Sequence, residues 1–164
     1  MPRFTGADHV AFSVTDVQTS ERFWSEVMGL LTVLVVGDGR VMMDTATGFT
    51  VALLQHPQAR GGAFSELTTG LDHVGFAVGS REELVEWQER LAAAGVEHTP
   101  IRDMPLGHHL NFRDPDGIAL ELTVPSPQYA AAMEELRSRP MRDEEVLAAA
   151  ERLLGPQLVA RPRE

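Results

Sequence analysis

The sequence predicts an α+β protein built from two tandem βαβββ modules followed by C-terminal helices. Three observations carry that reading: a repeated segment, the same order of strand and helix periodicities after each copy, and two helical stripes at the end of the chain. Thr5-Gly6-Ala7-Asp8-His9-Val10-Ala11-Phe12-Ser13-Val14 returns as Thr69-Gly70-Leu71-Asp72-His73-Val74-Gly75-Phe76-Ala77-Val78, with seven of ten positions identical. Such a repeat marks an architecture assembled from similar supersecondary units. Each copy carries a histidine at the same place, so two related strands are expected to deliver two imidazoles to a metal held between the units.

In the first unit His9, Ala11 and Ser13 alternate with Val10, Phe12 and Val14, the period-two pattern of a strand with one apolar face. His9 therefore points away from the Val-Phe-Val face. Thr19 or Ser20 is the expected cap of a helix on which Phe23, Trp24, Val27 and Met28 share a face, and Gly29 ends it. Leu30 to Val36 reads as a strand, Gly37-Asp38-Gly39 as a hairpin turn and Arg40 to Asp44 as the return. Phe49 to Gln55 is the fourth strand, closed by His56-Pro57.

The second unit repeats that order. Asp72 to Val78 is a strand, and Ser80 with Glu83 has capping-box spacing. Leu84, Trp87, Leu91 and Ala94 stripe the helix that Gly95 stops, and Trp24 and Trp87, equivalent in the two helices, read as core anchors. Val96 to Ile101 and His108 to Phe112 are the next strands. Asp114-Pro115-Asp116-Gly117 is a tight turn, in which proline fixes one φ and glycine supplies a positive one. Ile118 to Thr123 closes the unit and contains Glu121 between two leucines. Module one then spans 5–57, a linker 58–68 and module two 69–124, together one domain over 1–124; 125–164 is the helical extension. In the extension Tyr129, Ala132, Met133 and Leu136 fall at helical spacing, as do Val146, Leu147, Ala150, Leu153 and Leu154 beyond Pro140.

Composition narrows the chemistry. A chain of 164 residues that is 43% hydrophobic suffices for one domain with a full core. It has no cysteine, so any metal must be held by nitrogen and oxygen. A formal net charge of −10 argues against nucleic acid as a partner. All 14 basic residues are arginine, which removes lysine Schiff-base and general-base chemistry. The sequence contains no long apolar run, and Met1-Pro2-Arg3-Phe4 lacks the apolar stretch of a secretory signal. The expectation is a cytoplasmic protein with no membrane partner.

These residues resemble the vicinal oxygen chelate superfamily, which includes glyoxalase I, methylmalonyl-CoA epimerase, extradiol dioxygenases, fosfomycin-resistance enzymes and bleomycin-binding proteins. The resemblance covers roughly residues 5 to 124. Its most specific part is Phe112-Arg113-Asp114-Pro115-Asp116-Gly117-Ile118-Ala119-Leu120-Glu121-Leu122, supported by the paired Asp-His-Val strand openings and by Phe23-Trp24. It implies two half-open sheets joined into a half-barrel-like pocket around a divalent metal, with ligands on the first and last strand of each module. Carried over, His9, His73 and Glu121 are the metal ligands. Aligning Val51-Ala52-Leu53-Leu54 with Ala119-Leu120-Glu121-Leu122 sets Leu53 opposite Glu121, so the carboxylate of module one is missing. Gln55, on the same face as Leu53, is one substitute ligand and His56 another.

Two imidazoles and a carboxylate suit Fe, Mn, Ni, Co or Zn and leave adjacent positions open for two substrate oxygens. Glu121 is also the candidate catalytic base, with His108 or His109 assisting as proton shuttle. Asp8 and Asp72 read as capping or turn acids, and His98 as a surface residue. The pocket floor is expected from Ala11, Ser13, Gly75, Ala77, Met42, Leu53 and Leu110, small or apolar side chains that suit an uncharged or aromatic body. The resemblance implies a metal-dependent enzyme, a lyase, isomerase or ring-cleaving dioxygenase, acting on a small molecule that chelates through neighbouring oxygens. Glyoxalase-type chemistry lacks its module-one glutamate here. Extradiol-type chemistry expects a tyrosine near the metal, and the single tyrosine, Tyr129, lies beyond module two. The competing reading is sequestration of a small molecule without chemistry, as in bleomycin-binding relatives. A homodimer is expected, because the superfamily often dimerises and the extension exposes apolar stripes.

Overall fold

A computed structural model describes residues 6–59 and 61–156; Thr5, at the start of the first repeat copy, and the end of the extension lie outside them. Module one comprises β1 (Val10–Ser13), α1 (Val17–Arg22) continuing into a π-helical turn (Phe23–Val27), β2 (Leu31–Val36), β3 (Gly39–Met43) and β4 (Thr50–Leu54). Module two comprises β5 (Val74–Ala77), α2 (Arg81–Ala93), β6 (Arg102–Met104), β7 (Gly107–Arg113) and β8 (Ala119–Pro125); α3 (Pro127–Arg137) and α4 (Asp143–Leu154) follow. The sheets have the same order, β1-β4-β3-β2 and β5-β8-β7-β6. In each the first strand lies parallel to the last, and the remaining neighbours are antiparallel.

Three local expectations change. Asp16 caps α1, its carboxylate accepting from the Thr19 N–H at 2.6 Å, while Ser20 is buried inside the helix. Asp16 has extended backbone and so stands one turn earlier than the residues expected to cap. The last turn widens as Met28 N–H donates to the Phe23 carbonyl at 3.2 Å, a π-type bond, before Gly29 turns the chain with φ +83°. Val96 to Ile101 is not a continuous strand. Thr99 N–H reaches the Asn111 carbonyl and Arg113 N–H the Glu97 carbonyl, but Pro100 has no N–H to extend the ladder, which resumes as β6.

One face of each sheet is buried under the helices. Phe12, Met42, Val51 and Leu53 in module one and Leu110, Phe112, Leu120 and Leu122 in module two form this core. Met42, Leu53 and Leu110 therefore belong to the core and not to a pocket floor. Trp24 is fully buried and joins the modules, stacked on Phe12 at 5.5 Å between ring centres and edge-on to Phe76 at 6.1 Å. Trp87 packs against the same core but is only partly buried. α2 buries Leu84 and Leu91, leaving Trp87 half-buried on the shoulder with the Arg90 guanidinium 5.6 Å from its ring. Arg90 also donates to the Val27 and Glu26 carbonyls, and Asp116 accepts from the Thr15 N–H and hydroxyl, so side chains of module two hold module one at two places.

Candidate metal centre

Strand alternation puts Glu121 on the face opposite Leu120 and Leu122, away from the core. Its neighbour on one side is Gly75 of β5, which leaves room for the carboxylate: a Cβ there would stand 3.6 Å from Glu121 Oε2. On the other side β7 presents His109, whose Nδ1 lies 2.6 Å from Glu121 Oε1. From the residue before β5, His73 Nε2 approaches Glu121 Oε2 to 3.7 Å. The carboxylate side chain is 15% exposed, against 25% for His109 and 46% for His73, so Glu121 sits deepest.

Behind His73 stands Asp72, with Oδ1 2.6 Å from His73 Nδ1, and Asp8 Oδ2 stands 2.8 Å from His9 Nδ1. The two aspartates are therefore partners of the histidines rather than free turn acids. Both pairs precede the first ladder residue of their strands, where strict alternation of side chains does not yet apply. The aspartate occupies Nδ1 and leaves Nε2 for another partner, the carboxylate–histidine arrangement that orients metal-binding imidazoles. Of the adjacent pair on β7, His109 faces Glu121, whereas His108 turns to Asp103 at 2.7 Å on the hairpin. His98 is half-buried, its Nδ1 2.9 Å from the Thr99 carbonyl oxygen.

The register corrects the assignment in module one. Ala11 pairs with Ala52 as Gly75 pairs with Glu121, so the counterpart of Glu121 is Ala52 and not Leu53. A one-residue shift in a strand moves a side chain to the opposite face, and Leu53 is accordingly buried in the core. Gln55 lies beyond it, and its Oε1 accepts from the Val17 N–H at 2.9 Å, satisfying the first turn of α1 instead of facing the site. His56 is exposed past the end of β4. Module one thus offers His9 but no carboxylate beside it on β4.

One chain brings His73, Glu121 and His109 together and holds His9 apart. Among the described residues no three His, Cys, Asp or Glu side chains lie close enough to share an ion. The donors present fit two positions of a metal site. A separation of 3.7 Å is too long for a hydrogen bond but close to the roughly 3.4 Å between two donors each about 2.1 Å from a tetrahedral ion. His109 holds the other carboxylate oxygen, as partners behind a metal ligand do. Beside this group a cavity of about 520 Å³ opens between the sheet of module two and α3, with His109 and Glu121 in its wall.

Comparison with known proteins agrees with this architecture. Residues 6–122 match the family described as the Glyoxalase/Bleomycin resistance protein/Dioxygenase superfamily. A glyoxylase/bleomycin resistance protein/dioxygenase domain from Frankia sp. EAN1pec is 32% identical with a TM-score of 0.70, covering 76% of this chain and 95% of that one. Lactoylglutathione lyase from Agrobacterium tumefaciens shares the fold at 21% identity and a TM-score of 0.59, covering 75% and 96%. The fosfomycin resistance protein FosX from Listeria monocytogenes, in a structure complexed with Mn(II) and sulfate, does so at 22% identity and a TM-score of 0.61, covering 77% and 95%. With the duplicated sheets, the paired Asp-His openings and the glutamate on the last strand in place, the chain belongs to the Glyoxalase/Bleomycin resistance protein/Dioxygenase superfamily.

Proposed function

We propose that this protein is a metal-dependent enzyme of the vicinal oxygen chelate type, acting on a small molecule that binds through two neighbouring oxygens. His73 and Glu121 are two of the ligands, and His9 of a second copy of the chain is the third. The observation that carries this reading is the approach of His73 Nε2 to Glu121 Oε2, with Asp72 and His109 holding the far side of each group. His9 carries the same aspartate partner yet stands apart from that pair. Association between copies is supported by β2, an edge strand on which Leu31, Leu34, Val35 and Val36 are all more than half exposed.

A divalent ion of the Fe, Mn, Ni, Co or Zn group, when bound, polarises a chelated carbonyl or enolate and lowers the cost of negative charge on its oxygen. The chain's own residues orient the site and handle protons. Asp72 fixes the His73 ring, and His109 fixes the Glu121 carboxylate while forming with it an imidazole–carboxylate pair able to take up and return a proton. His108 lies on the other face of β7, paired with Asp103, and has no part in this. Ala52 leaves module one without a second carboxylate, so acid–base work falls on Glu121 and His109. That arrangement favours proton transfer next to a chelated oxygen pair, an isomerase or lyase step with one base, over a mechanism that needs two metal-bound glutamates.

Calorimetric titration with Mn(II) tests the assignment. The unmodified protein is expected to bind the ion stoichiometrically and gain thermal stability from it. His73→Ala, Glu121→Gln and His9→Ala should each weaken binding by at least about tenfold. Mixing the His9→Ala and His73→Ala proteins should restore a site in the mixed dimers, because one of the two shared sites then keeps both histidines. Full metal binding by His73→Ala, or no recovery on mixing, rejects the shared site. The sequestration reading rests on the incomplete ligand set of the single chain, and a protein that binds a small molecule while ignoring all five metals would establish it.

A further inference from the structure

The family match ends at residue 122, and α3 and α4 follow it. α3 is anchored at its start: Ser126 N–H donates to the Leu106 carbonyl at 2.8 Å, and the Ser126 hydroxyl accepts from Tyr129 N–H. This ties the helix to the β6–β7 hairpin and directs it across the open face of the sheet in module two. α3 packs against α4, Gln128 donating to the Leu153 carbonyl, while Tyr129 and Met133 are half-buried along the cavity of about 520 Å³ whose opposite wall holds His109 and Glu121. The volume exceeds what a chelating pair of oxygens fills and falls within the range of small-molecule pockets.

We infer that α3 is the specificity wall of the candidate site, with Tyr129 and Met133 receiving the aromatic body of the ligand whose oxygens face Glu121. This rests on the proposed function for the location of the chelating end. The chemistry of the wall selects the class. A phenol ring and a thioether both favour aromatic surface, the first by offset or edge contact and the second by sulfur–ring contact. Leu106 and Pro125 add apolar surface at the hairpin end. Glu134 and Arg137 stand at the rim with opposite charges, so the rim does not select an ionic body. Tyr129 and Met133 are positioning residues for the ligand and take no part in proton transfer.

The test uses the full-length protein in two states. The metal-free protein is titrated calorimetrically with 2-naphthol, and the Mn(II)-loaded protein with mandelate and glycolate, which share one hydroxyl–carboxylate pair and differ by a phenyl ring. The unmodified protein should bind 2-naphthol at one saturable site and prefer mandelate to glycolate by at least tenfold. Met133→Trp, which fills the cavity, should weaken both aromatic ligands at least tenfold and leave glycolate and Mn(II) affinities within twofold. Tyr129→Ala, which enlarges the cavity, should cut the mandelate preference below threefold, and it stands as the test if the tryptophan variant fails to fold. Absence of 2-naphthol binding, or aromatic binding indifferent to the folded variants, overturns the specificity wall. Loss of Mn(II) binding with variant-sensitive 2-naphthol binding intact overturns the metal assignment instead and leaves the wall standing.

Discussion

Asp114 opens the turn that aims β8, and its two oxygens have different surroundings. Oδ1 accepts from the Asp116 and Ile118 N–H groups at 2.9 and 2.8 Å; Oδ2 is buried without a hydrogen-bond partner among the described residues. Burial outweighs the two N–H groups and pushes the carboxyl from 3.8 up to about 6. Because the folded value lies above the unfolded one, the neutral form is favoured by folding. The contribution is fully present below pH 3.8 and is lost as pH rises through about 6, amounting to at most about 3 kcal/mol. Asp114→Asn keeps an acceptor for both N–H groups and cannot ionise. Urea unfolding at pH 4 and 7.5 should therefore show a smaller fall in stability toward pH 7.5 for the variant than for the unmodified protein. Equal differences would contradict the raised value. The sequence revealed the turn through Pro115 and Gly117, but not that one oxygen of Asp114 is buried at a groove that Phe23 and Val27 of the other module also line.

The β6–β7 hairpin carries His109 to Glu121, and Gly107 makes the close approach possible. Its φ is +150°, and a Cβ there would meet the Val124 carbonyl oxygen at 2.1 Å, an approach only a residue without a side chain tolerates. Gly107→Ala must push β7 away from β8 along the pairing that aligns Asn111 with Glu121. The expected cost is more than about 2 kcal/mol in urea unfolding, together with weakened Mn(II) binding through the displaced His109. Stability and metal affinity both unchanged would show that the hairpin shifts freely. Strands, helices and turns were legible from periodicity and from Gly and Pro. The close approach at Gly107 was not, since the atom it avoids lies on a strand paired to it from seventeen residues further along the chain.

In the whole molecule the two modules share a core through Trp24, which touches Phe12 of its own sheet and Phe76 of the other. Trp24→Ala should cost about 3–5 kcal/mol and lower hydrogen-exchange protection in both sheets together. Loss confined to module one would mean that the modules unfold separately. By itself the sequence determined the duplicated βαβββ order, the fold class, the paired Asp-His strand openings and the helical extension, because periodicity, caps and turn residues act over a few neighbouring positions. Only the tertiary structure decided that Ala52 and not Leu53 answers Glu121, that Gln55 serves α1, that His109 and not His108 holds the carboxylate, and that α3 crosses the open face. Those outcomes depend on strand register and on which surfaces meet, and a strand's alternation is the same whichever partner residue it faces.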